Sequence, residues 1–184
     1  MKTVQSGQAG NLGFLEQYKV ESEIFSLSSG TQVSIQKYLF EFKGWSGSPI
    51  SNTYNGKAII DWNGEPLFAE LAVLRLFQSH GWTGVWVDSY RRKFRVGLPD
   101  VVDPVELPIP QAQLVESLRE KTGRFGGCWD LLLWKESVTI FVELKRQKKD
   151  RIQTTQTEWL ASGLQSGLTS DNFALAEWTM RIEV

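Results

Sequence analysis

Apolar and polar positions follow two different periods along this chain, and the change of period marks its elements. Residues 137–142, Ser-Val-Thr-Ile-Phe-Val, form a short apolar run of strand character that continues into Glu143-Leu144-Lys145. Side chains two apart on a strand point the same way, so Glu143 and Lys145 share one face while Leu144 joins Val142 and Ile140 on the other. A second run, Trp129-Asp130-Leu131-Leu132-Leu133-Trp134, stands just before it. The connection, Lys135-Glu136-Ser137, is short enough only for a hairpin.

The period then lengthens. Residues 65–80 have helical spacing, open with Pro66 where a first helical turn tolerates it, and stop at Gly81. At about 100° per residue, Glu65 falls with Ala72, Arg75 and Ser79, whereas Glu70 falls with Leu67, Leu74 and Phe77. Glu65 is therefore the solvated charge, and Glu70 sits on the face that docks on the sheet. Residues 152–163 read as a second amphipathic helix, with Gln156 on the stripe of Ile152, Trp159, Leu160 and Gly163. Further strands are expected at 84–88 and 173–178. Upstream, strands at 22–27 and 32–43 flank Ser28-Ser29-Gly30, and a Gly/Ser/Asn/Pro stretch follows at 44–56. The first dozen residues, rich in Gln, Gly and Ser, carry the composition of a disordered segment.

The hairpin register decides what the strand charges can do. A loop of two or four residues centred on Glu136-Ser137 sets Lys135 opposite Val138 and Asp130 opposite Glu143. Facing like charges repel, by about 3 kcal/mol at about 5 Å and an effective dielectric of about 20. A bound divalent cation reverses that sign. The alternative is that both carboxylates lie at a solvated sheet edge with Lys145 as a local ion-pair partner, and a three-residue loop would also break the pairing. Glu70 calls for a partner of its own, because a buried, unpaired carboxylate costs several kcal/mol or stays protonated. Gln156 either orients Lys145, a water or a substrate phosphate, or is satisfied by nearby backbone.

Composition narrows the chemistry further. At 184 residues and 41% apolar content the chain can bury one sizeable core. Its single cysteine, Cys128, excludes an internal disulfide and a cysteine-cluster zinc site; the single histidine, His80, excludes a two-histidine metal site and is placed to close the first helix. No Gly-rich phosphate loop occurs, which argues against ATP use. The net charge of −1 hides a division: −2 over residues 1–90, +4 over 91–151 and −3 over 152–184. The basic excess lies in Arg91-Arg92-Lys93-Phe94-Arg95 and in Arg146, Lys148, Lys149 and Arg151, all able to hold phosphates or to be solvated surface. Of the eight tryptophans, Trp82, Trp86, Trp159 and Trp178 fall in core elements, where packing rather than base stacking is expected. Neither a membrane-spanning run nor a leader pattern is seen, so a cytoplasmic location and no membrane contact are expected.

Helix with Glu70, strand near 84–88, strand with Asp130, strand with Glu143 and Lys145, helix with Gln156, closing strand: this order resembles the PD-(D/E)xK nuclease superfamily. Gly126-Gly127-Cys128-Trp129-Asp130, Val142-Glu143-Leu144-Lys145 and Gln156-Thr157-Glu158-Trp159-Leu160 are most similar to the VRR-NUC group. The first helix is also similar to that of archaeal Holliday-junction resolvases. The resemblance spans roughly residues 64–180. It implies an α/β, restriction-endonuclease-like core at 64–184 with an insertion at 91–124, while the upstream strands read on their own pattern as a β-rich extension at 1–63. It further implies that Asp130 and Glu143 bind Mg2+, replaceable by Mn2+. Glu70 adds a ligand directly or through water, Lys145 positions or activates the attacking water, and Gln156 supports the site. Trp129 stands where the pattern has proline. The expected activity is Mg2+-dependent hydrolysis of phosphodiester bonds in DNA, with DNA as partner and a homodimer allowed. The alternative is a binding or assembly module that keeps the fold without cutting; a carbohydrate-binding β protein is disfavoured by the two amphipathic helices.

Overall fold

The computed structural model describes residues 12–54 and 56–181. A 3-10 turn, Gly13–Tyr18, leads into β1 (Lys19–Ser26) and β2 (Gln32–Gly44). Then come β3 (Ile60–Trp62), β4 (Glu65–Leu67), α1 (Ala69–Ser79), β5 (Thr83–Asp88), β6 (Lys93–Arg95) and α2 (Ile109–Thr122). The chain continues through β7 (Leu131–Lys135), β8 (Val138–Arg146), α3 (Thr154–Gln165), a 3-10 turn at Ser170–Asn172 and β9 (Phe173–Arg181). The fold is mixed α/β, and no helix of the described residues is long and apolar enough to cross a membrane.

All nine strands of the described residues belong to one sheet, ordered β4-β3-β2-β9-β8-β7-β5-β6, with β1 also paired to β2. β9 runs parallel to both β8 and β2, and the remaining pairs are antiparallel. The N-terminal strands are thus not appended to the side of the remainder. β2 lies against β9 over eight residue pairs, from Gln36 opposite Ala174 to Lys43 opposite Arg181. The boundary expected after residue 63 falls inside the β3–β4 hairpin. The expected disorder of the first dozen residues concerns a stretch that, but for Leu12, lies outside the described residues.

Strand alternation sorts the core into two layers. Leu131 and Leu133 of β7 and Ile140, Val142 and Leu144 of β8 pack with Leu71, Leu74 and Phe77 of α1. Leu132, Phe141 and Leu175 face the other way, onto Trp159 and Leu160 of α3 and Val115 and Leu118 of α2. Burying a large side chain of this kind contributes about 1.5–3 kcal/mol, so each face holds its helices firmly. Residues 91–124 supply β6 and α2, and α2 packs on α3.

The helix at 69–79 starts later than its periodicity predicts. Asn63 and Gly64 both have positive φ, 53° and 87°, and close a two-residue hairpin between β3 and β4. Asn-Gly is the dipeptide that best tolerates such a turn. Glu65 and Pro66 therefore belong to a strand at the sheet margin, where the missing proline N–H costs little. Glu65 remains a solvated charge, bonded to Arg75 at 3.1 Å. His80 follows the last turn of α1 as expected and stacks on Phe14, ring centres 4.1 Å apart. Trp82, Trp86, Trp159 and Trp178 are all buried.

Candidate functional site

The β7–β8 hairpin has the two-residue loop. Lys135 pairs with Val138 and Leu131 with Val142, and Glu136 adopts the positive φ (53°) that the turn demands. Asp130 precedes β7 by one residue, in the row of Leu132; Glu143 and Lys145 continue the row of Phe141. Glu143 and Lys145 thus rise on the α3 side of the sheet, as the strand pattern predicts, while Asp130, just outside β7, lines cavities together with Lys57.

Four bonds hold the α3 side together. Lys145 Nζ lies 2.9 Å from Glu143 Oε1 and donates to Gln156 Oε1 at 2.9 Å. Gln156 Nε2 donates to the same Glu143 oxygen, and Gln156 Oε1 also accepts the backbone N–H of Gln153 at 2.8 Å. Gln156 therefore orients Lys145; its amide is not spent on the backbone alone. The loop before Asp130 is tied to the same helix by two indoles: Trp129 Nε1 donates to the Gln156 carbonyl (3.1 Å) and Trp159 Nε1 to the Gly126 carbonyl (3.2 Å). Trp129 thus does structural work at the position where the nuclease pattern has proline. Gly127 permits that approach, since its φ is +85° and a Cβ there would lie 2.3 Å from Thr155 Cβ. Gly127→Ala is expected to destabilise the fold by about 2–4 kcal/mol, from left-handed strain plus overpacking, as read by denaturant titration.

Glu70 arrives from the other side. α1 covers the opposite face, and Glu70, in its first turn, reaches a cavity of about 360 Å³ beside the end of β8, which Asp130 and Glu143 also line. There it is 7% exposed and ion-paired to Lys57. Lys57 also lies 5.1 Å from the Trp86 ring centre and 5.3 Å from that of Phe68. Burial alone would push its ammonium toward neutrality, but Glu70, with Asp130 and Asp88 farther off, reverses this and holds the pKa above its usual value. Among the described residues no three acidic, histidine or cysteine side chains are gathered closely enough to hold an ion by themselves.

The charges do not balance. Glu70 has Lys57 and Glu143 shares Lys145, while Asp130 accepts the Leu144 backbone N–H, at 2.9 Å, and lies within hydrogen-bonding reach of the Glu143 carboxyl. Glu143 Oε2 is buried without a hydrogen-bond partner. Burial, with Glu70 adding repulsion, raises the Asp130 pKa to about 6. Burial and the neighbouring Asp130 carboxylate push Glu143 well above the usual carboxylate range. Two adjacent carboxylates with one orphaned oxygen form a site short of positive charge, and this donor set suits a hard cation such as Mg2+, which commonly takes one or two carboxylates and keeps its waters.

Of the basic residues, Arg91 and Arg92 are exposed on the turn between β5 and β6, Lys93 is exposed at the start of β6, and Lys148, Lys149 and Arg151 are exposed after β8. Arg146 is half-buried, its guanidinium 5.2 Å from the Trp178 ring centre, and it lines the carboxylate cavity. Arg95 is not with them. It is buried and bonded to Asp88 at 3.1 Å, because β6 turns alternate side chains inward. Cys128 is buried and its thiol is pushed far up by that burial and by the Glu143 and Asp130 charges, so it is a packed side chain.

Lys57, Tyr54 and Asp88 are the site residues that the pattern along the chain does not reveal. Asp88 accepts from Tyr54 Oη (2.8 Å), from Arg95 Nε (3.1 Å) and from the Arg91 backbone N–H (3.3 Å). A carboxylate closing an apolar strand just before a basic hairpin was the available signal for it. Lys57 and Tyr54 sit on an aperiodic loop and have none. No family model matches the sequence, and no curated protein matches it either.

Proposed function

We propose that this protein is a Mg2+-dependent nuclease of PD-(D/E)xK type, similar to the VRR-NUC group, that hydrolyses phosphodiester bonds in DNA. One observation carries the reading: half-buried Asp130 and buried Glu143 are adjacent and short of a counter-charge, with Lys145 on the strand face of Glu143. A binding module has no use for carboxylates that repel phosphate. Asp130 and Glu143 would hold the ion, with Glu70 across the cavity as a further ligand through water. When bound, Mg2+ supplies charge for the phosphoryl oxygens and lowers the pKa of water. Lys145 then positions the attacking water and stabilises developing negative charge. Gln156 fixes the Lys145 ammonium, and Arg91, Arg92, Lys93, Arg146, Lys148, Lys149 and Arg151 hold the flanking phosphates. A restriction-endonuclease-like core is the fold this function calls for, and α1 and α3 on opposite faces of a mixed sheet support it.

The test is a cleavage screen over single-stranded, duplex, flapped and branched DNA, with Mg2+ and with chelator. Cutting of at least one substrate that chelator abolishes is the expected result. Replacing Lys148, Lys149 and Arg151 by Ala should weaken binding to all sequences and reduce the slope of log affinity against log salt by roughly 2–3. A protein that binds DNA but cuts no substrate under either condition is the binding module instead.

A further inference from the structure

A second cavity, of about 410 Å³, shares Lys57 and Asp130 with the carboxylate cavity. Its outer wall is the turn between β5 and β6, with Tyr90 and Arg91, and its floor includes Tyr54 and Trp86. Asp88, with its bonds from Tyr54, Arg95 and the Arg91 backbone, pins this turn to the sheet. Tyr90 is nevertheless 91% exposed, on a turn that is otherwise anchored. The Arg91 guanidinium lies 3.4 Å from the centre of the Tyr54 ring and 5.6 Å from that of Tyr90.

These parts share one chemistry. An exposed aromatic ring and a guanidinium already stacked on tyrosine are flat surfaces that stack bases, and they do so with little sequence preference. Lys57 and Arg91 set two cations in the cavity wall, and Asp130 in the same wall marks the direction of the proposed reaction centre. The volume lies within the range of small-ligand pockets and accommodates a nucleotide. A base inside an intact duplex stays stacked on its neighbours and reaches such a cavity only when extruded, at a cost of a few kcal/mol. Bases of a single strand carry a smaller cost.

We propose that this cavity receives the base of an unpaired DNA nucleotide next to the scissile phosphate, stacked on Tyr90 and Arg91, and thereby directs the enzyme to single-stranded or frayed DNA. This rests on the nuclease reading for its orientation toward Asp130, but the base site is testable without cleavage. Affinities are measured in chelator for a single strand, for the blunt duplex, and for a duplex with a short unpaired arm carrying 2-aminopurine. The unmutated protein should favour the single strand and the arm over the blunt duplex by tenfold or more and change the 2-aminopurine emission. Tyr90→Ala should lose roughly 5- to 100-fold of the affinity for unpaired DNA, leave duplex affinity within about twofold, and abolish the emission change. Tyr90→Phe should retain all three. Equal affinity for unpaired and duplex DNA, or a Tyr90→Ala loss of the same size on both, overturns the proposal. If the preference holds and no substrate is cut, the nuclease reading alone falls; if DNA is cut without the preference, the base site alone falls.

Discussion

Asp130→Asn raises the melting temperature of the protein in chelator near pH 7 and removes the response to Mg2+. The Asp130 pKa is raised from 3.8 to about 6, so folding favours its protonated form. The stability associated with that proton is fully present below about pH 4 and is lost as pH rises through about 6. Near neutral pH the ionised group therefore costs on the order of 3 kcal/mol, which an uncharged amide avoids while still accepting the Leu144 N–H. For a chain of this size the gain corresponds to roughly 5–10 °C. The gap between Asp130→Asn and the unmutated protein should be small at pH 4 and should open toward pH 7, since Glu143 shifts in the same direction and loses a like-charged neighbour in the variant. Millimolar Mg2+ should close the gap from the other side by stabilising only the unmutated chain; tenfold above its dissociation constant an ion adds about 1.4 kcal/mol. A pH-independent gap, or an equal Mg2+ response in both proteins, would show that the carboxylate pair is not the ion site.

Lys145→Ala should reduce cleavage by roughly 10²- to 10⁴-fold while changing DNA affinity by less than about threefold. Lys145 is half-buried against Glu143 and Gln156, whereas Lys148, Lys149 and Arg151 are exposed on the following loop. Its removal would take charge from the proposed reaction centre and leave the proposed phosphate-holding surface intact. The triple replacement of Lys148, Lys149 and Arg151 should do the opposite. Single-turnover rates at saturating protein separate the two, because saturation cancels a loss of affinity and not a loss of chemistry. If Lys145→Ala lowers only affinity, the lysine is a phosphate contact and the catalytic assignment fails.

Local pattern determined much of this arrangement. The β7–β8 hairpin and its register follow from two apolar runs and a connection too short for anything else, which brings Asp130 beside Glu143 and sets Lys145 on the same face. The burial of Glu70 follows from helical phase alone, even though the helix begins after Leu67. Gln156 lies on the inner stripe of α3 for the same reason. Such residues sit on periodic elements, where burying one face forces each side chain to a known side. The beginning of α1 was hidden because Pro66 suits a helix start as well as an edge strand, and only Asn63-Gly64 distinguishes the two.

Tertiary structure decided the remainder. The parallel pairing of β2 with β9 joins residues more than a hundred positions apart and makes one sheet of what reads as an extension and a core. Lys57 meets Glu70, and Tyr54 meets Asp88 and Arg91, through a loop whose path no period constrains. Arg95 looks like its neighbours Arg91, Arg92 and Lys93 until β6 turns it inward onto Asp88. Short-range periodicity specifies the face a residue occupies. Which charge finds which partner depends on long-range packing, because a buried ion is tolerated only where the completed fold brings a counter-charge to it.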